Sequence, residues 1–160
     1  MSEGRGAEDP LDAIIKINSL EDLKIPAFRT LYELWDQKRG ERAMPSRQDF
    51  DPSEFTALLP YVALADVEHN PIRIRLRLVG TLVTQVLGYE PTGQYMDLIP
   101  GINASLARAY WAIENKTSYF VENMPLLAPH NHYSTYSFLG MLLSDDDELV
   151  NITLCIFSFD

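Results

Sequence analysis

Arg77-Leu-Val-Gly-Thr81, followed by Leu87-Gly-Tyr-Glu-Pro-Thr-Gly93 and Asp97-Leu98, is the stretch on which the fold of this chain turns. Upstream of it, Ile72-Arg-Ile-Arg-Leu-Arg-Leu78 alternates almost strictly. Ile72, Ile74, Leu76 and Leu78 read as inward and Arg73, Arg75 and Arg77 as outward, the period of a half-buried strand. Thr81 to Leu87 then reads as one or two helical turns closed by Gly88. Pro91-Thr-Gly93 reads as a turn, and Met96 to Ile99 as another short helical piece. An amphipathic strand thus passes directly into a short helix and two glycine turns.

Ala63 to Glu68 forms the partner strand, and His69-Asn70-Pro71 supplies the turn between the two. With residues 69–72 as the loop, Glu68 faces Arg73 and Asp66 faces Arg75. Opposite charges facing across an antiparallel pair contribute roughly 0.2–1 kcal/mol each. The arginine stripe therefore has a structural explanation, with anion recognition as the alternative.

Toward the N-terminus, Phe28, Leu31, Tyr32 and Trp35 fall at i, i+3, i+4 and i+7 within a helix predicted from Ser19 to Arg39, with Gly40 as its left-handed cap. This aromatic stripe is expected on the outer face of the sheet or between two subunits. Asp51, Pro52 and Glu54 have the spacing of an N-cap, a first helical proline and a capping box, opening a short helix to Pro60. Residues 1–18 are expected to be a flexible N-terminal segment and 19–160 a single domain. Toward the C-terminus, Asn103 can cap a helix running to Lys116, with Leu106, Ala109, Tyr110 and Ile113 on one face. Three strands follow, near 118–127, 134–143 and 149–159. The fold class is α+β, a five-stranded antiparallel sheet with helices between strands two and three.

Composition narrows the function. The chain has 160 residues and a net charge of −10, so general binding to phosphate backbones is not expected. No apolar run approaches the ~18 residues of a membrane span, and the polar first residues lack the apolar stretch of a secretory signal. The single cysteine, Cys155, sits in an apolar run and reads as a buried, inert thiol. These features point to a cytoplasmic protein. Asp145, Asp146, Asp147 and Glu148 form an acidic cluster, read as a solvated hairpin tip or as a docking surface for a basic partner.

The element order resembles the PAS family of sensory domains. Leu31-Tyr-Glu-Leu-Trp35 with Arg39-Gly40, Met44-Pro-Ser-Arg47, Leu58-Leu-Pro60 and the Arg77–Thr81 strand end are similar to a bacterial group of stand-alone PAS-like proteins, long catalogued as a domain of unknown function. The resemblance covers residues 25 to 159. It implies a signal-transduction module that holds a small ligand, a partner protein or both. It also implies a homodimer formed through the N-terminal helix, with Phe28, Leu31, Tyr32 and Trp35 as interface candidates. Arg47, Arg77, Gly80, Thr81, Gly88 and Gly93 are the structural residues of its motifs, with Arg47 and Arg77 expected to pin the N-terminal segment to the sheet through bidentate bonds.

Leu76, Leu78, Val83, Val86, Tyr95, Tyr110, Trp111 and Tyr136 are the candidates to line a pocket for a small organic molecule between sheet and helices. His130-Asn131-His132 could direct two imidazoles at one metal, but a polar loop is the simpler reading. No phosphate loop, nucleophile elbow or Cys/His pair is present, so no catalytic residue is assigned. Two alternatives stand beside the sensory reading: a ligand-free dimeric adaptor, and a small metal-dependent hydrolase built on His130 and His132. Haem-binding members use a histidine on the helix before the third strand, and flavin photosensors use a cysteine between the second and third strands. This chain has neither at those places. Neither haem nor flavin is expected, and the purified protein should show no visible absorption band.

Overall fold

In the computed structural model, which describes residues 9–126 and 132–160, the alternating segments become strands. These are β1 (Ile15–Lys16), β2 (Val62–Glu68), β3 (Arg73–Val79), β4 (Tyr119–Pro125), β5 (Thr135–Leu143) and β6 (Ile152–Phe159). The helices are α1 (Pro26–Arg39), α2 (Thr81–Leu87) and α3 (Asn103–Asn115), joined by short 3-10 turns. All strand pairs are antiparallel, in the order β1-β4-β5-β6-β2-β3. β6 pairs with both β5 and β2, which ties the terminal hairpin to the hairpin around residues 69–72.

The sheet has six strands where five were expected. The additional one, β1, sets Ile15 opposite Phe120 and Lys16 opposite Tyr119 at the free edge of β4. Two residues are too few for an alternation to be visible in the sequence. Residues 9–18, expected within a flexible segment, carry this strand and a 3-10 turn, Pro10–Ala13, where the Asp9 carboxylate accepts from the Leu11 amide at 2.9 Å. Residues 1–8 lie outside the described residues.

The helix expected from Ser19 begins at Pro26. Proline disfavours helical backbone in the residue before it, and Ile25 is extended, with φ −86° and ψ 120°. Gly40 ends the helix at φ +59° but ψ −122°, outside the left-handed helical well that was expected. Asp51 and Glu54 form the expected capping box, at the head of a 3-10 segment, Pro52–Tyr61, that kinks at Phe55. Asn103 opens α3 without a side-chain cap.

Residues directly opposite in the ladders share a face, so the register divides the sheet in two. Val62, Leu64, Leu139, Met141, Leu143, Leu154 and Ile156 share one face and are almost completely buried, Leu139 and Ile156 to 0% exposure. The chain between Leu23 and Leu59 covers that face. Phe28, Leu31 and Trp35 join the same core, and the Trp35 indole donates to the Leu142 carbonyl at 2.9 Å. The aromatic stripe of α1 is therefore core of its own chain. Of the four interface candidates only Tyr32 keeps an accessible edge, stacked on Trp35.

Asp145, Asp146, Asp147 and Glu148 are exposed, as in the solvated hairpin tip that was expected, and the turn is also tied to the loop after α1. The Asp147 carboxylate accepts from the Ala43 and Met44 amides at 3.0 and 3.1 Å, and the Ser144 amide donates to the Pro45 carbonyl at 2.9 Å. Together they fasten the loop after α1 to the β5–β6 turn. The Leu149 and Glu148 amides and the Ser144 hydroxyl hold the Asp146 carboxyl below the usual carboxylate range. Its support is therefore complete above the ordinary carboxylate pKa and is lost as pH falls through the lowered value.

Gly80 explains the Arg77–Thr81 motif. Its amide donates to the Val62 carbonyl at 2.7 Å. A Cβ at this position would lie 2.3 Å from the carbonyl oxygens of both Leu59 and Pro60. Backbone on both sides cannot yield as a side chain would. Gly80→Ala is expected to lose about 3 kcal/mol or more, read as a lower midpoint in urea unfolding; an unchanged midpoint would contradict this packing.

Candidate ligand site

The other face of the sheet carries α3 at its rim and is less tightly sealed. On it lie Ile74 and Leu76 of β3, Tyr119 of β4, Tyr136 and Phe138 of β5, and Cys155, Phe157 and Phe159 of β6. Ile74 and Tyr119 are buried, whereas Leu76, Tyr136, Phe138, Cys155, Phe157 and Phe159 are half-buried. The rings form a continuous ladder. Phe159 and Phe157 stack at 5.7 Å, Phe157 meets Phe138 edge-on at 5.1 Å, and Phe138 meets Tyr119 at 5.7 Å. Trp111 of α3 closes the row edge-on against Tyr119 at 6.4 Å. Gly140 makes room for it. A Cβ there would stand 2.9 Å from the Phe138 ring and 3.2 Å from the Tyr119 ring.

α3 brings polar groups to the same side. Ser105 and Arg108, three residues apart, share a helical face. The Tyr136 hydroxyl accepts from Arg108 Nη2 at 3.3 Å and lies 3.2 Å from Ser105 Oγ. Arg108 Nη1 donates to the Pro10 carbonyl at 3.1 Å. Arg108 is only 5% exposed, and among the described residues no carboxylate lies within ion-pair distance of it. A buried guanidinium without a counter-ion is unusual, because removing a charge from water costs several kcal/mol unless a partner compensates.

The pocket candidates divide. Leu76 and Tyr136 face the α3 side, and Trp111 reaches it through Tyr119. Val83 and Val86 are buried on α2. Tyr110 is half-buried, its hydroxyl pushed up by burial and by nearby Asp97. Leu78, expected beside Leu76, is on the opposite face and 38% exposed. A bulge between Leu64 and Ala65 pairs Leu64 with Leu78 but Ala65 with Leu76, so Arg77 is the extra residue and the alternation inverts.

Tyr95 also lies elsewhere. Its backbone bridges to Arg75, its hydroxyl donates to Glu68 at 2.7 Å, and its ring lies 3.6 Å from the Arg73 guanidinium. The expected register holds, with Glu68 opposite Arg73 and Asp66 opposite Arg75. The ionic partners differ from it: Arg73 grips Asp97 through two bonds of 2.8 Å, and Arg77 reaches Asp66 at 3.1 Å.

Arg47 makes no bidentate bond to the sheet. Its Nη1 donates weakly to the Phe50 carbonyl at 3.4 Å, and its buried Nε has no partner. It borders a cavity of about 80 Å3 with Phe50, Phe55, Leu64 and Leu78, on the α1 side of the sheet. A larger cavity, about 200 Å3, lies between Tyr32, Trp35, Met44 and Lys116. Neither is lined by a residue of α2 or α3. His130 is outside the described residues and His132 is exposed; among the described residues no three His, Cys, Asp or Glu side chains cluster to hold a metal.

The protein-family model described as PAS domain matches residues 23–98, from the approach to α1 through the 3-10 turn Met96–Leu98. Residues 23–98 are thus similar to PAS domains. The match takes in the sealing segment, β2, β3 and α2, and stops short of α3 and its arginine. No curated protein matches the chain. Among the described residues no helix is long and apolar enough to cross a membrane.

Arg108, Ser105, Phe138, Gly140 and Phe157 were not among the sequence candidates. An arginine between Leu106 and Ala109, in the mostly apolar middle of the helix, was the available signal. Cys155 lies on this same face; burial pushes its thiol up to about 12, which keeps it protonated and unreactive at neutral pH. A disulfide-exchange reagent should therefore modify no thiol in the native protein and one after unfolding, and rapid native modification would refute the assignment.

Proposed function

We propose that this PAS-like domain is a sensory or regulatory module of signal transduction that binds a small organic ligand on the α3 side of its sheet. Protein contacts carry its output, and it performs no catalysis of its own. One observation supports this above others: the two faces of the sheet are unequally sealed. The α1 side is packed as a core, while the α3 side presents half-buried aromatic rings beside converging hydroxyl and guanidinium groups. Apolar walls with a few directed polar groups suit small-molecule binding. A ligand would act by favouring one arrangement of α3 and the sheet, which requires different affinities for the two states.

The adaptor alternative relied on the aromatic face of residues 28–35. Phe28, Leu31 and Trp35 are buried within the chain, which favours the ligand reading. Native mass spectrometry separates the two. A stoichiometric additional mass that is lost on denaturation is expected. Protein of the bare chain mass, with a melting temperature unmoved by a metabolite extract, would overturn the ligand reading.

A further inference from the structure

Arg108 is the one strongly buried charged side chain among the described residues, and it lies on the face that the proposed function uses. Two of its donors meet neutral oxygens, the Pro10 carbonyl and the Tyr136 hydroxyl. A guanidinium offers five N–H donors in a planar fork that matches a carboxylate through two parallel bonds. Neutral oxygens satisfy donors but leave the charge uncompensated. The fold does not need that charge, since a long apolar side chain could occupy the same volume without desolvating an ion.

We propose that Arg108 is the anchor of a binding site for a small organic carboxylic acid. Its carboxylate pairs with the guanidinium, with the Tyr136 and Ser105 hydroxyls as further partners. Its apolar part lies along the half-buried Phe138 and Phe157 rings. The Pro10 carbonyl occupies one arm of the fork in the free protein, so the acid displaces it. A single cation and two hydroxyls suit a monoanion. Phosphate, with its larger charge, calls for more positive groups, and the chain has no Lys or Arg beyond Lys116 and a net charge of −10.

The proposal deepens the ligand reading and rests on it, and the test separates the two. Benzoate, its neutral analogue benzamide and inorganic phosphate are titrated into the full chain by calorimetry, with melting temperatures in parallel. Benzoate is expected to bind and raise the melting temperature, and benzamide to bind about tenfold more weakly or worse, since it lacks a charge-assisted bond. Arg108→Met should fold with an equal or higher melting temperature and lose the preference for benzoate. If that variant does not fold, Arg108→Gln provides the same comparison. Equal binding of benzoate and benzamide, or undiminished benzoate binding in the folded variant, overturns the carboxylate anchor while leaving a ligand site. Phosphate binding as tightly as benzoate overturns the class of acid. No binding by any probe, together with a bare native mass, removes the ligand reading as well.

Discussion

A sheet must cover two faces, and this chain concentrates its apolar side chains on one. Val62, Leu139, Met141, Leu143, Leu154 and Ile156 are sealed beneath Leu23, Phe28, Leu31 and Trp35. Each large side chain so buried contributes about 1.5–3 kcal/mol. The cover is also fastened by hydrogen bonds at defined points. Trp35 donates to Leu142, Asp147 receives the Ala43 and Met44 amides, and Gly80 lets the end of β3 touch the backbone of Leu59 and Pro60. These contacts fix where the sheet sits against residues 23–59, and everything on the far side inherits that position.

The far side is consequently free to serve something other than stability. Its aromatic ladder is half-covered, its central glycine makes room for two rings, and among the described residues its arginine has no acid to meet. A structure selected only for stability would replace Arg108 with an apolar residue of similar length. Retaining an uncompensated charge there is easier to understand as a feature of binding than of folding.

Local pattern made much of the architecture readable. The turn at residues 69–72, the register that sets Glu68 opposite Arg73, the capping box at Asp51 and the bounds of α2 all depend on neighbours within a few positions. The misreadings came from long-range geometry. The bulge at Leu64 and Ala65 inverted Leu78 although its own strand alternates cleanly. The α1 stripe was read as lying on the sheet or between two subunits, and the first holds; its period alone does not say whether the covering surface belongs to the same chain or to another. Arg108 was hidden by its charge, since an arginine on a helix is ordinarily solvated. Only the nearness of Pro10 and Tyr136, 98 and 28 positions away, shows that it is not.

The match to the PAS-domain family model covers residues 23–98. The matched part supplies the sealing segment, the first hairpin and the glycine passage into α2, which are the elements that hold the sheet in place. Ser105, Arg108, Tyr136, Phe138 and Phe157 all follow it. A scaffold fixed by backbone contact and core packing tolerates little change, as Gly80 between two carbonyls illustrates. Side chains on the less sealed face are under no such constraint, so ligand chemistry can change there without disturbing the scaffold. The chemistry of the ligand should therefore be sought in α3 and the last three strands, which carry the half-buried rings and the buried arginine.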